Sequence, residues 1–155
     1  MSQCGTEPSD SKIKHNLLSL DNQVCFPLYS AANALIRAYR PFLEQLDLTY
    51  SQYLTMMVLW EHNGISVKDL GEKLHLDSGT LTPLLKRLES KGYVERQRSA
   101  KDERIRVLLL TESGVALKDQ ANSIPEKMAC RFGLELEEMA MLKSLCLKVI
   151  KNFGA

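Results

Sequence analysis

Four cysteines and one basic segment are the residues best able to do chemistry in this sequence. Cys4, Cys25, Cys130 and Cys146 stand singly, with no C-x-x-C pair, and His15, His62 and His75 have no zinc-like spacing to any of them. That pattern argues against a zinc site. In a reducing compartment it also argues against a structural disulfide, so any pairing of these thiols should be transient and redox-linked. The thiolate is the form that attacks a peroxide O–O bond and becomes a sulfenic acid. Cys25 falls within about the first turn of a predicted helix, where exposed N–H groups and the positive end of the helix dipole favour an anion. On residues alone, a lone cysteine on an apolar helix is more often simple packing.

The basic segment runs from Lys86 to Arg106. It holds eight cations (Lys86, Arg87, Lys91, Arg96, Arg98, Lys101, Arg104, Arg106) against four acids, in a chain whose totals are 20 and 19. A net charge of +1 therefore hides a polarised distribution. A local excess of this kind is a candidate for contact with a polyanion, with a merely solvated charged face as the bland reading.

The elements that must position these groups are mostly helical. Asp21 can cap a first helix carrying Cys25, Leu28, Tyr29, Ala32, Leu35, Ile36, Tyr39, Phe42 and Leu43 at helical spacing. Pro27 is tolerable near its start, and Pro41 should kink or break it. Thr49 can cap a second helix ending before Asn63-Gly64. Ser66 caps a short third helix, VKDLGEKLH, with Asp69 in capping-box position. After a tight link comes SGTLTPLLKRLESKG, predicted to start near Gly79 or Thr80 because of Pro83. Leu81, Leu84, Leu85 and Leu88 face inward there, and Ser78, Thr80, Thr82, Lys86 and Arg87 face outward. YVERQR and RIRVLLLT read as two strands joined by the polar turn SAKDE. Thr111 caps a long helix to about Arg131, with a break allowed at Pro125. Gly133 separates it from a last helix with the stripe Leu136, Met139, Leu142, Cys146, Val149, Ile150 and Phe153. Cys146 reads as core there. The first and last helices are apolar beyond what so small a domain can bury, which predicts packing against a second copy of the chain.

The length of 155 residues suits one domain, and 45% hydrophobic with 25% charged residues excludes disorder and a disulfide-stapled miniprotein. No apolar run approaches the ~18 residues of a membrane span. The polar leader at residues 1–18 lacks a signal-peptide core, which predicts a cytoplasmic protein with no membrane contact. The remaining chain, 19–155, divides into a helix-turn-helix and hairpin at about 50–111, flanked by helices at about 20–47 and 112–153. A short helix, a tight turn, a second helix with small polar and basic residues and a basic hairpin make a mainly α, α+β winged helix-turn-helix. Ser78, Thr80, Thr82, Lys86 and Arg87 would meet base edges and phosphates in the major groove, Arg96, Arg98 and Lys101 would neutralise phosphates, and Arg104 would enter the minor groove.

The stretch DSGTLTPLLKRLESKGYVERQRSAKDERIRVLLLT resembles the DNA-binding lobe of MarR-family repressors, including the wing motif D-x-R at Asp102-Glu103-Arg104 and the strand end Leu110-Thr111. LDNQVCFPLYSAANALIRAYRPFLEQLDLTYSQYLTMMVLWE is similar to the organic-hydroperoxide sensors of that family, the OhrR group. The likeness covers about Leu20 to Phe153. It implies a homodimeric repressor on a pseudo-palindromic DNA operator, induced by an organic hydroperoxide and needing no cofactor. It implies Cys25 as the sensor, Tyr39 and Tyr50 as hydrogen-bond donors to its sulfur across the dimer, and Cys130 as the partner-subunit thiol that resolves the sulfenic acid. Tyr29 and Tyr53 lie near enough in sequence to keep a packing role open for the tyrosines. Pro27, where a small helix former is expected, departs from the pattern. An apolar pocket of Phe26, Leu28 and Trp60 would favour alkyl peroxides. Two other readings remain open: a MarR-type repressor answering to a reversible small aromatic ligand, and a thiol peroxidase.

Overall fold

The computed structural model describes residues 18–100 and 102–154; the leader up to residue 17, with Cys4, and Lys101 lie outside that range. Among the described residues, seven α-helices and one antiparallel hairpin follow in the order α1 (Cys25–Glu44), α2 (Tyr50–Glu61), α3 (Val67–Leu74), α4 (Ser78–Ser90), β1 (Val94–Arg98), β2 (Arg106–Leu110), α5 (Glu112–Ala121), α6 (Ile124–Phe132) and α7 (Leu136–Asn152). Two compact units are present, one ending at Arg37 and one beginning at Ala38.

In the first unit, Asp21 does not cap α1. It sits inside a single 3-10 turn, Leu20–Asn22, and α1 starts at Cys25. The turn closes on itself through Gln23 N–H to the Leu20 carbonyl, so the carboxyl of Asp21 is displaced from the helix mouth. Pro27 is thus the third helical residue, where its missing N–H is an orphan in any case. Leu28, Tyr29 and Ile36 remain exposed.

Pro41 does not break α1, which runs through it to Glu44. Only three residues follow Pro41, so a single i→i−4 bond, to the Arg37 carbonyl, is lost. Leu43, Leu46 and Leu48 are buried beyond it and hold the end of the helix in the core of the second unit.

That core lies among α2, α3, α4 and the hairpin. Met56, Leu59, Leu70, Leu85, Leu88 and Leu108 are fully buried. α2 begins at a full capping box: Thr49 Oγ1 accepts the Gln52 N–H and Gln52 Oε1 accepts the Thr49 N–H. Ser66 caps α3, accepting the Asp69 N–H at 3.0 Å and donating its hydroxyl to Asp69 Oδ2 at 2.7 Å. His75 ends α3 in the left-handed region at φ +52° and turns the chain into α4.

α4 starts at Ser78, earlier than Pro83 suggests. Asp77 is its N-cap, and the bonds from Thr80 to that carboxylate offset the one helical bond that Pro83 removes. β1 and β2 pair in the register Val94↔Leu110 to Arg98↔Arg106. The segment before α3 joins them: Gly64 N–H reaches the Leu108 carbonyl, and Leu108 N–H reaches the Ile65 carbonyl. The hairpin is therefore fixed to the helix pair and does not hang free.

Thr111 closes the hairpin onto α5. Its hydroxyl donates to the Gly92 carbonyl at 2.6 Å and accepts the Gly114 N–H at 3.0 Å. A methyl group on Gly114 would overlap the Tyr93 carbonyl, which is backbone and cannot rotate away. Gly114→Ala should therefore lower unfolding free energy by about 1–3 kcal/mol. Urea denaturation measures it, and a variant as stable as the parent would show this junction to be loosely packed.

The long helix expected after Thr111 is two helices, divided at Asn122-Ser123 ahead of Pro125. Gly133, at φ +61°, ends the second of them as expected. None of the residues of α7 is buried, and Leu136, Leu142, Val149 and Phe153 of its stripe are exposed. Cys146 is accordingly half-buried and is not a residue of the chain's own core. Among the described residues nothing covers that stripe.

Candidate functional site

The outward face of α4 is built by its inward one. Leu81, Leu84, Leu85 and Leu88 are buried, which leaves Ser78, Thr80, Thr82, Lys86 and Arg87 exposed in a row at helical spacing. Asp77 Oδ1 accepts the Thr80 N–H at 3.0 Å and Oδ2 accepts the Thr80 hydroxyl at 2.9 Å. The backbone bond first and the hydroxyl bond second hold the Asp77 carboxyl below its ordinary value. Thr80 is thus engaged in the cap. The side chains of Ser78, Thr82, Lys86 and Arg87 have no partner among the described residues and are available to a ligand.

The hairpin carries the second group of cations. At its tip Asp102 Oδ1 accepts the Arg104 N–H at 3.0 Å, and the Asp102 carbonyl accepts the Ile105 N–H at 3.0 Å. The Asp102 carboxylate shapes the turn and leaves the Arg104 side chain exposed. Lys101 lies outside the described residues. Arg96 differs from expectation. Its guanidinium meets Glu89 at 2.8 Å and is mostly shielded, so it ties β1 to α4 and is not open to a phosphate. The reason is the two-residue period of a strand: Arg96 shares its face with Val94, which is buried in the core. Arg98 follows on that face but lies past the core and is exposed.

Arg98 pairs directly with Arg106 across the hairpin. Arg106 was not singled out by the sequence as a contact residue. The signal is the hairpin register, which the alternation of the two strands permits but does not specify. A groove of about 1060 Å³ opens between the hairpin and the α3–α4 turn, lined in part by His75, Leu76, Ser78, Leu81, Arg104 and Arg106. Its carboxylates are occupied: Asp69 by Ser66, Asp77 by Thr80, and Glu72 by Lys68 at 3.8 Å. Arg104 and Arg106 have no ion-pair partner among the described residues, and Asp69 and Asp77 are hydrogen-bonded but keep their charge.

The thiols stand on other elements. Cys25 is the first residue of α1 and is exposed; its Sγ lies 3.7 Å from Gln23 Oε1, to which it can donate. Cys130 is exposed on α6. The next residue, Arg131, donates from Nη1 to the Ala38 carbonyl at 3.5 Å and lies 5.0 Å from the Phe42 ring centroid. These contacts hold α6 against the final turns of α1.

Tyr39 and Tyr50 come together, with ring centroids 4.9 Å apart. Both are half-buried and neither hydroxyl has a partner among the described residues. Burial raises the pKa of each, with Tyr39 adding to the rise at Tyr50, so both keep their protons and remain hydrogen-bond donors at neutral pH. Tyr53 stacks 5.8 Å from Tyr39 but is buried in the core, and Tyr29 is exposed. The Trp60 indole N–H donates to the Gly114 carbonyl at 2.8 Å and thereby joins α2 to α5.

The transcriptional regulators SarA/Rot, as a family, match residues 37–121. The organic hydroperoxide resistance transcriptional regulator of Bacillus subtilis is 44% identical over 135 residues, 87% of this chain and 90% of that protein. The chain belongs to the MarR family of transcriptional regulators, in the organic hydroperoxide resistance group. The HTH-type transcriptional regulator TtmR of Methylorubrum extorquens is 50% identical over 80% of this chain and 64% of its own, longer sequence. Among solved structures, reduced AbfR bound to DNA superposes with a TM-score of 0.72 at 33% identity, covering 91% of this chain and 99% of that one. Overoxidized AbfR bound to DNA also superposes at 0.72, with 34% identity over 91% and 99%.

The winged-helix fold expected from the order of elements is thus that of a MarR-family regulator. Its relatives are transcriptional regulators and not enzymes, which removes the thiol-peroxidase reading. Among the described residues no helix of this MarR-family chain is long and apolar enough to cross a membrane.

Proposed function

We propose that this MarR-family regulator is a homodimeric repressor that holds operator DNA when reduced and releases it when an organic hydroperoxide oxidises Cys25. The observation that carries the reading is an exposed, unpaired Cys25 at the first position of α1 in a chain of this group. Its thiolate attacks the peroxide O–O bond. One oxygen passes to sulfur, giving a sulfenic acid, and the other leaves as the alcohol. The partner subunit's Cys130 then attacks the Cys25 sulfur. An S–S bond forms, the S–O bond breaks and water leaves. Cys130 is exposed, which this step needs.

Tyr39 and Tyr50 are assigned as the donors that stabilise the reacting sulfur across the dimer. Their neutral, unengaged hydroxyls suit that task. Ser78, Thr82, Lys86 and Arg87 supply the major-groove contacts and Arg104 the minor-groove contact, on two half-sites about one helical turn apart, ~34–36 Å. A disulfide requires Cα atoms about 4.4–6.8 Å apart. Drawing two helices to that distance alters the spacing of the two reading heads, so both cannot bind at once.

The test is a nonreducing gel after treatment with an organic hydroperoxide. Wild type should run as a covalent dimer that a thiol reductant reverses, and Cys130→Ser should run as a monomer. A covalent dimer persisting in Cys130→Ser would remove Cys130 from the mechanism.

A further inference from the structure

We infer that Arg98 and Arg106 together hold one phosphodiester of duplex DNA at the loop end of the β1–β2 ladder, a contact that rests on the DNA-binding reading above and adds a residue to it. The two are a directly opposed pair in the β1–β2 register. Opposed residues of an antiparallel pair project on the same face, with Cβ atoms about 4.5–5.5 Å apart. Like charges so placed repel, and a folded chain gains nothing from them.

Elsewhere on this face the conflict is absent. Val94 faces Leu110, and Arg96 faces Leu108 while its charge is met by Glu89. Only the Arg98–Arg106 pair has neither an apolar neighbour opposite nor an ion-pair partner among the described residues. Both side chains are exposed. Arg106 also lines the groove that Ser78 and Arg104 share, so it stands between the start of α4 and the hairpin tip. A backbone strand passing from the major groove under α4 to the minor groove under the tip would cross this position. Two guanidinium forks converging on one phosphate give charge-assisted bonds to an anion that also cancels their repulsion.

The experiment uses the full-length protein and a mixed-sequence duplex of about 30 base pairs, long enough for two half-sites. Fluorescence anisotropy measures affinity across a salt series. Arg106→Gln should weaken binding about tenfold or more at fixed salt. Arg98→Gln/Arg106→Gln should reduce the slope of log K against log salt by about 0.9 per protomer, the value for one phosphate. Lys118→Gln, a cation removed from α5, should leave the slope unchanged. Thermal unfolding of Arg106→Gln without DNA should show an equal or higher midpoint, because a repulsion has been removed. A merely structural arginine would lower midpoint and affinity together.

Unchanged affinity in Arg106→Gln, a double-variant slope loss of about 1.8 per protomer, or a lowered midpoint would overturn the shared phosphate. Failure of wild type itself to bind any duplex in a salt-dependent way would instead overturn the DNA-binding reading, and this contact with it.

Discussion

Cys25→Ser should bind operator DNA as reduced wild type does and should keep it at organic hydroperoxide levels that release wild type. Serine keeps the size and the donor of the side chain but has no sulfur to accept the peroxide oxygen. Cys25 is exposed and contributes no core packing, so the substitution leaves the folded chain intact. In wild type, losing simultaneous engagement of two half-sites forfeits avidity worth about 10²–10⁴-fold. The difference between wild type and variant in an operator titration with peroxide should be of that size. The titration is run at one stated salt concentration, because phosphate contacts weaken steeply as salt rises. Normal release of the variant by peroxide would end the thiol mechanism. It would favour a reversible ligand, for which Tyr53, Met57, Trp60 and Pro125 line a groove of about 290 Å³.

The second large effect is expected on α7. Leu142→Glu/Val149→Glu places two carboxylates seven residues apart on the stripe. Both residues are exposed within the chain, so its own core is untouched. A stripe of Leu136, Leu142, Val149 and Phe153 left open in one chain is the apolar surface that a second copy would cover. The variant should sediment as a monomer at concentrations where wild type is dimeric, and its operator affinity should fall by about 10²–10⁴-fold. Its α-helical circular dichroism should change little. A variant that remains dimeric with full affinity would show that the stripe lies outside the interface.

The sequence and the structure divide the explanation of this protein in a definite way. Local rules sufficed wherever the deciding interaction spans a few residues. Thr49 with Gln52, Ser66 with Asp69 and Thr111 with Gly114 are caps written three residues apart, and the helices they predict are present. The leucine stripe of α4 likewise determined which of its residues face outward, because a helix has one period. The exposed contact row and the basic hairpin follow from that.

Prediction failed where two local rules compete or where a distant partner decides. Asp21 and Pro41 are signals that a tighter turn and a buried Leu43 overrode. Pro83 gave way to the cap at Asp77. The roles of the arginines were beyond sequence altogether. Arg96, Arg98 and Arg106 are chemically the same and differ only in what stands opposite. Arg96 faces Leu108 and is paired by Glu89 of α4, whereas Arg98 and Arg106 face each other.

Composition and spacing by themselves determined the winged-helix class, the outward face of α4 and Cys25 as the thiol at a helix start, since each depends on near neighbours and a fixed backbone period. Tertiary structure alone decided which cations are already neutralised, which tyrosines meet and which apolar stripe is left uncovered. Charge pairing and burial act between surfaces that only the folded chain brings within a few ångströms.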